Sequence, residues 1–269
     1  MNRLFRNIPQ KIAIFGSSAA IAATVIMPVS STALAVGRPM MADTNGSNSA
    51  GGFCSALANR ETAFTSKVDT LKGKVSDAWS QQNTKLTGLA QSTDQKVTAA
   101  RSAADQKRTD AFKALEAKAT TDSEKTAVTT FENAVNQAVT TRRAAYDTAR
   151  SAFRSGVQAA VASHRTSVTS QADAFQQAVQ TAFTQATTEC QNGTAAATVR
   201  QDLVTALKTA RTTFQSDRKS DNAVGQQVKQ LAQTRNAAFK AADAAFNTAL
   251  QTAVNNLKTA FGSDASKIE

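Results

Sequence analysis

The side chains able to do chemistry are few and scattered. His164 is the only histidine, and Cys54 and Cys190 are the only cysteines. A general base or an activated nucleophile needs a partner within hydrogen-bond reach, and no Ser/His/Asp or Cys/His pattern can be assembled around His164. One His and two Cys fall short of a structural zinc site or an iron–sulfur cluster. The carboxylates stand singly, with no D-x-D-x-D-G calcium loop and no glycine-rich phosphate loop. The sequence therefore predicts a non-enzymatic protein, with no catalytic residue, metal ligand or cofactor. Thiol oxidation and positive charge are the chemistry that remains.

The charge has a candidate locus. Arg142, Arg143, Arg150, Arg154 and Arg165 lie close together in the chain, opposed locally only by Asp147. Such a cluster is a candidate patch for the phosphates of nucleic acid or for an anionic surface polymer. It has little aromatic interleaving for stacking on single strands and no recognised reading motif. The competing reading is that long arginine stems cover an apolar stripe while their heads stay wet.

The elements that position these residues follow from composition and period. With 41% hydrophobic residues, 6% aromatics and only three prolines, the 269-residue chain favours long helices over strands and turns. Large apolar residues recur every eleven positions. Phe53, Phe64, Val75, Leu86 and Val97 form one row, and Leu57, Val68, Trp79, Ala90 and Phe112 a second, with Arg101 as its charged member. Val135, Tyr146, Val157, Val168, Val179 and Cys190 form a third, with Phe131, Phe153 and Phe175 beside it at twice the step. Late in the chain come Val228, Phe239, Leu250 and Phe261. Eleven residues over three turns is about 3.67 per turn, which implies straight or weakly right-handed helices. Ala134, Gly156 and Ala178 share one position of the 22-residue unit, where a neighbouring helix can approach closely.

Capping chemistry places the turns. Thr121 with Glu124 fits a capping box. Gly193 suits a left-handed helix end and Thr194 a following cap. Asn192-Gly193-Thr194 and Asn45-Gly46-Ser47 also match the glycosylation sequon, but the first is read as a turn. Three segments result, about 54–119, 122–191 and 194–262, expected to form an elongated antiparallel three-helix bundle spanning 53–262. The third loses phase at Gly225 and Asn236, so a kink or break is expected near 217–222. Residues 263–269 are expected to be a disordered tail.

The position midway between Cys54 and Cys190 is 122, inside the first turn. An antiparallel hairpin therefore brings the two cysteines side by side, and a Cys54–Cys190 disulfide is predicted.

The amino terminus has a different texture. Arg3, Arg6 and Lys11 precede the apolar stretch 12–29, and Ala33-Leu34-Ala35 offers a small-x-small cleavage pattern before Val36. Residues 1–35 read as a secretory signal peptide, with a retained membrane anchor as the alternative. Residues 36–52 read as a flexible leader rich in Gly, Ser and Asn. Cleavage lowers the formal charge from +11 to +8, and a secreted or cell-surface location follows.

The order of export signal, FCSAL at 53, a basic helix, EAKATTDSEKTAV at 116, TEC at 188, TVR at 198 and QSDRKSD at 215 resembles uncharacterised secreted helical proteins of candidate-phyla (Patescibacteria-like) bacteria. That resemblance implies an exported helical protein, and it brings no activity and no functional residue. The 22-residue period also resembles exchangeable apolipoproteins, in period only: no proline follows Pro39, and the polar face is Thr, Gln and Ser. The expected role is a cell-surface or extracellular spacer, scaffold or adhesion element with an unidentified protein or surface partner. The alternatives are a polyanion-binding module and a lipid-surface-binding protein.

Overall fold

Ala, Thr and Gln dominate the long segments between turn signals, and helix is the conformation these segments adopt. The computed structural model describes residues 50–220 and 223–268, so the proposed signal peptide and leader residues 36–49 lie outside it. Helix α1 spans Ala50–Ser55, α2 Leu57–Glu116, α3 Asp122–Gln191, α4 Ala196–Ser220 and α5 Ala223–Phe261. Among the described residues there is no strand. Thr is a modest helix former because its hydroxyl competes for backbone groups. Here many hydroxyls donate to the carbonyl four residues back, as Thr62 does to Ala58, Thr126 to Asp122 and Thr205 to Gln201.

The helix ends follow the capping residues. At the start of α3 the Thr121 hydroxyl accepts from the Glu124 N–H at 3.2 Å, and Glu124 Oε2 accepts from the N–H groups of Thr120 and Thr121 at 2.8 Å each. These donors hold the buried Glu124 carboxyl down to about 2, the Thr121 amide contributing most and the Thr120 amide next. After α3, Gly193 takes φ 77°, the left-handed conformation that a residue with a Cβ rarely adopts. Residues 217–220 of the stretch where a kink or break is expected are helical, and 221–222 lie outside the described residues. Two differences from expectation stand at the edges. Residues 50–52, read as leader, belong to α1, which packs on α4. Residues 263–268, read as a disordered tail, belong to a 3-10 helix Gly262–Ile268. Ala265 packs there against the cluster around Phe261, which gives this polar segment an anchor.

The chain divides into two compact units. Among the described residues, one comprises 85–158 and 228–268, and the other 50–84, 159–220 and 223–227. Helices α2 and α3 each supply a stretch to both. In the first unit Phe112, Leu115, Val128, Phe131, Val135, Ala253, Leu257 and Phe261 form a core from α2, α3 and α5. In the second, Phe53, Leu57, Phe64, Val68, Val179, Phe183, Val199 and Leu203 form a core from α1 to α4. Val135 and Val199 are 0% exposed.

Facing residues reveal the register. Across α2 and α3, Phe112 meets Phe131, and Arg101 meets Asp147, in the first unit. Lys72 meets Asp173, and Trp79 meets His164, in the second. Each pair mirrors about positions 121–124, so α2 and α3 are antiparallel. Across α3 and α5, Phe153 meets Arg235 and Tyr146 stacks on Phe239 at 4.1 Å. Across α3 and α4, Phe175 meets Phe214 at 5.3 Å. These mirror about 192–195, the Gly193 turn.

Gly156 sits at a close approach, as the small-residue position suggested. A Cβ built there would lie 2.6 Å from Leu231 Cδ2 of α5. Gly156→Ala is expected to cost stability by about 1–3 kcal/mol through overpacking. In a Leu231→Ala background the same change is expected to stabilise by up to about 1 kcal/mol, because the helix-propensity gain then stands alone. A urea-denaturation double-mutant cycle reads the difference. Stabilisation in both backgrounds would show that Leu231 does not limit the space.

Candidate functional site

The five arginines of the candidate patch lie on α3, and the structure gives four of them carboxylate partners. Arg154 grips Asp94 of α2 through both terminal nitrogens at 2.7 Å. Arg143 holds Asp105 of α2 at 2.6 and 3.0 Å. Arg142 donates to Asp243 of α5 at 2.6 Å. Arg150 pairs with Asp147 one turn earlier on its own helix, and Arg101 of α2 closes on the same Asp147 at 2.9 Å. Arg165 belongs to the other unit, is exposed, and forms no ion pair with the described residues. The cluster read from sequence is therefore an interhelix clasp more than an open cationic face.

The paired geometry is strong because a guanidinium fork matches a carboxylate in two parallel bonds. Hydrogen bonds from Arg154, Arg143 and Arg101 hold the carboxyls of Asp94, Asp105 and Asp147, respectively, below the usual aspartate range against the opposing effect of burial. In turn, the Asp94 bond raises Arg154 above its ordinary value. The Arg142 site has more layers. Tyr146 donates its hydroxyl to Asp243 at 2.8 Å, and the Arg142 guanidinium lies 5.3 Å from the Tyr146 ring and 5.0 Å from the Phe246 ring. Burial first, and the Asp243 bond second, push the Tyr146 hydroxyl above its ordinary value. Neighbouring Arg235 lies 4.5 Å over Phe153, and burial lowers its value.

One contact opposes the rest. Glu132 of α3 is raised above the ordinary glutamate range by burial and by Glu116 of α2. Two opposite pH effects follow. The depressed Glu124, Asp94, Asp105 and Asp147 contribute stability that is complete above their unfolded values near 4 and is lost as pH falls towards their folded values. The raised Glu132 works the other way: its penalty is fully present above its folded value and is relieved as pH falls through it. The aspartates and Glu124 outnumber it, so the melting temperature is expected to hold down to about pH 5 and to drop below about pH 4. Glu132→Gln is expected to raise stability at pH 7 by under about 1 kcal/mol, screened by solvent, and to have no effect at pH 3. Thermal melts across that range check both signs.

The remaining chemistry-bearing residues fall into structural roles. Cys54 and Cys190 form a disulfide with Cα atoms 5.9 Å apart, packed on the second unit's core. His164 is half-buried with its ring edge-on to Trp79 at 5.6 Å. No group of three or more His, Cys, Asp or Glu able to hold a metal occurs among the described residues. No described helix is long and apolar enough to cross a membrane. A groove in the first unit is lined by Asp122, Ser123, Thr126, Thr130, Ala253 and Asn256.

Sequence reasoning missed the carboxylate partners. The signal was present: Asp94 with Arg154, Asp105 with Arg143 and Asp147 with Arg101 all mirror about position 124, beside the hairpin turn. It also missed a row of lysines, Lys74, Lys85, Lys96, Lys107 and Lys118, spaced by the same eleven residues as the apolar rows. Searching that period among charged residues would have found it.

No protein-family model, curated protein or solved structure matches the chain.

Proposed function

We propose that the chain is an exported, non-enzymatic structural or interaction protein, a spacer, scaffold or adhesion element of the cell surface or extracellular space. The observation that carries this reading is the Cys54–Cys190 disulfide, which closes a loop of 136 residues. Disulfides persist in oxidising compartments and are rare where thiols are kept reduced. The reading is supported by the basic start, apolar stretch and Ala33-Leu34-Ala35 of residues 1–35, which have the order of a cleaved signal peptide. It is supported too by the use of charge: Arg142, Arg143, Arg150 and Arg154 serve carboxylates of the fold, which leaves less cation there for a polyanion.

The architecture that serves such a role is an elongated antiparallel three-helix bundle on an 11/22-residue repeat. At 1.5 Å per residue, a helix such as α3, with 70 residues, measures about 105 Å. Fractionation of the native cells with crosslinking tests the role. Recovery in the surface or medium fraction, joined to a surface component, is expected; recovery in the cytoplasm would overturn it. Small-angle X-ray scattering of the mature protein tests the rod, which a compact spherical profile would exclude.

A further inference from the structure

Helix α2 separates its charges by side. At about 100° per residue, eleven residues close three turns with about 20° to spare, so Lys85, Lys96 and Lys107 form one gently drifting row with steps of about 16.5 Å. All three are exposed, and none forms an ion pair with the described residues. Asp94 and Asp105 lie roughly 180° and 200° around the helix from Lys85, committed to Arg154 and Arg143 of α3. Arg101 and Arg108 are on that same inner side, bound to Asp147 and Asp105. The one carboxylate near the row is Asp110, which accepts from Gln106 at 3.0 Å. The fold thus commits Asp94 and Asp105 to α3 and leaves Lys85, Lys96 and Lys107 without an ion pair among the described residues.

We propose that this row is a binding face for a linear polymer of phosphates. The residues beside and between the lysines are small or flexible, including Gly88, Leu89, Ser92, Ala99 and Ala103, with Leu89 43% exposed. They offer no aromatic ring on which a base could stack. They offer no guanidinium fork for a planar carboxylate, while an ammonium meets phosphate as a point charge. The 16.5 Å step exceeds the Debye length of about 8 Å at physiological salt, so the lysines act as separate weak sites. A single phosphate gains little from one of them. A chain that engages several gains through effective concentration, without any new kind of contact. The inference goes beyond the structural role and does not depend on export.

The test is binding of long-chain inorganic polyphosphate to the purified chain, titrated against salt. Lys85→Gln/Lys96→Gln/Lys107→Gln is expected to weaken binding at least tenfold at low salt. It is also expected to reduce the magnitude of the log–log salt slope by about 2, because each phosphate that a lysine neutralises on a single-stranded polyanion adds about 0.7. Tripolyphosphate, too short to bridge two lysines, is expected to bind negligibly to the unmodified chain. A control that removes equal charge from exposed positions on α4 and α5, Lys208→Gln/Lys229→Gln/Lys240→Gln, is expected to bind nearly as the unmodified chain does. Equal weakening in the two triple variants, tripolyphosphate binding as tight as the polymer, tighter binding of polyglutamate or single-stranded DNA, or no polyphosphate binding at low salt would each overturn the proposal. Circular dichroism verifies that both variants keep their helix.

Discussion

Replacing both Cys54 and Cys190 with Ser is expected to lower the unfolding free energy by up to about 5 kcal/mol. The disulfide closes a loop of 136 residues, and cross-linking so long a loop removes much of the entropy of the unfolded chain. Its ends are tied to a buried cluster that includes Phe53, Leu57, Phe64, Val179 and Phe183, so the reduced chain also loses a constraint on α1 and the end of α3. For a protein whose whole stability is typically about 5–15 kcal/mol, that is a large share. Guanidinium unfolding of the oxidised chain, the dithiothreitol-reduced chain and the double variant measures it. The reduced chain and the variant are expected to coincide. A midpoint unchanged by reduction would remove the clasp from any role in stability.

Phe131→Ala is expected to cost about 3–5 kcal/mol, the range for truncating a fully buried aromatic ring. Phe131 is 2% exposed, packs edge-on against Phe112 at 6.1 Å, and joins Val128, Val135, Leu257 and Phe261 in the first unit's core. None of these residues belongs to the cluster beside the disulfide, so the two losses should add within about 0.5 kcal/mol. Unfolding of the single, double and triple variants checks this. A Phe131→Ala loss below about 1 kcal/mol would mean that the first unit's core is not packed as described. Strong non-additivity would mean that the two units unfold through a shared element, for which the continuous helices α2 and α3 are the candidates.

The helices and their turns were legible because each rests on local chemistry. Thr121 and Glu124 mark the start of α3 by satisfying amides within one turn, and Gly193 ends it by adopting a positive φ. Phe64, Val68, Val135 and Val179 were legible as core residues because each is a large apolar side chain spaced to fall on one helix face, and all four are buried. The Cys54–Cys190 pairing followed from the turn position, since antiparallel helices convert distance from the turn into neighbourhood.

The charged pairs were less legible. Arg154 and Asp94 are 60 positions apart, and their partnership exists only after α2 and α3 are folded upon each other. The arginine cluster was visible as local density, whereas the aspartates that compensate it were dispersed along another helix. The Gly262–Ile268 helix was missed because its composition is polar and its anchor, Ala265 on the Phe261 cluster, is a single small side chain.

The most direct test of the central claim, an exported chain locked by one disulfide, is the intact mass and N-terminal sequence of the native protein alkylated without prior reduction. The expected protein begins at Val36, takes up no alkylating agent, and yields a peptide that links Cys54 to Cys190. A chain that begins at Met1 and carries two alkylated thiols would contradict both export and the clasp.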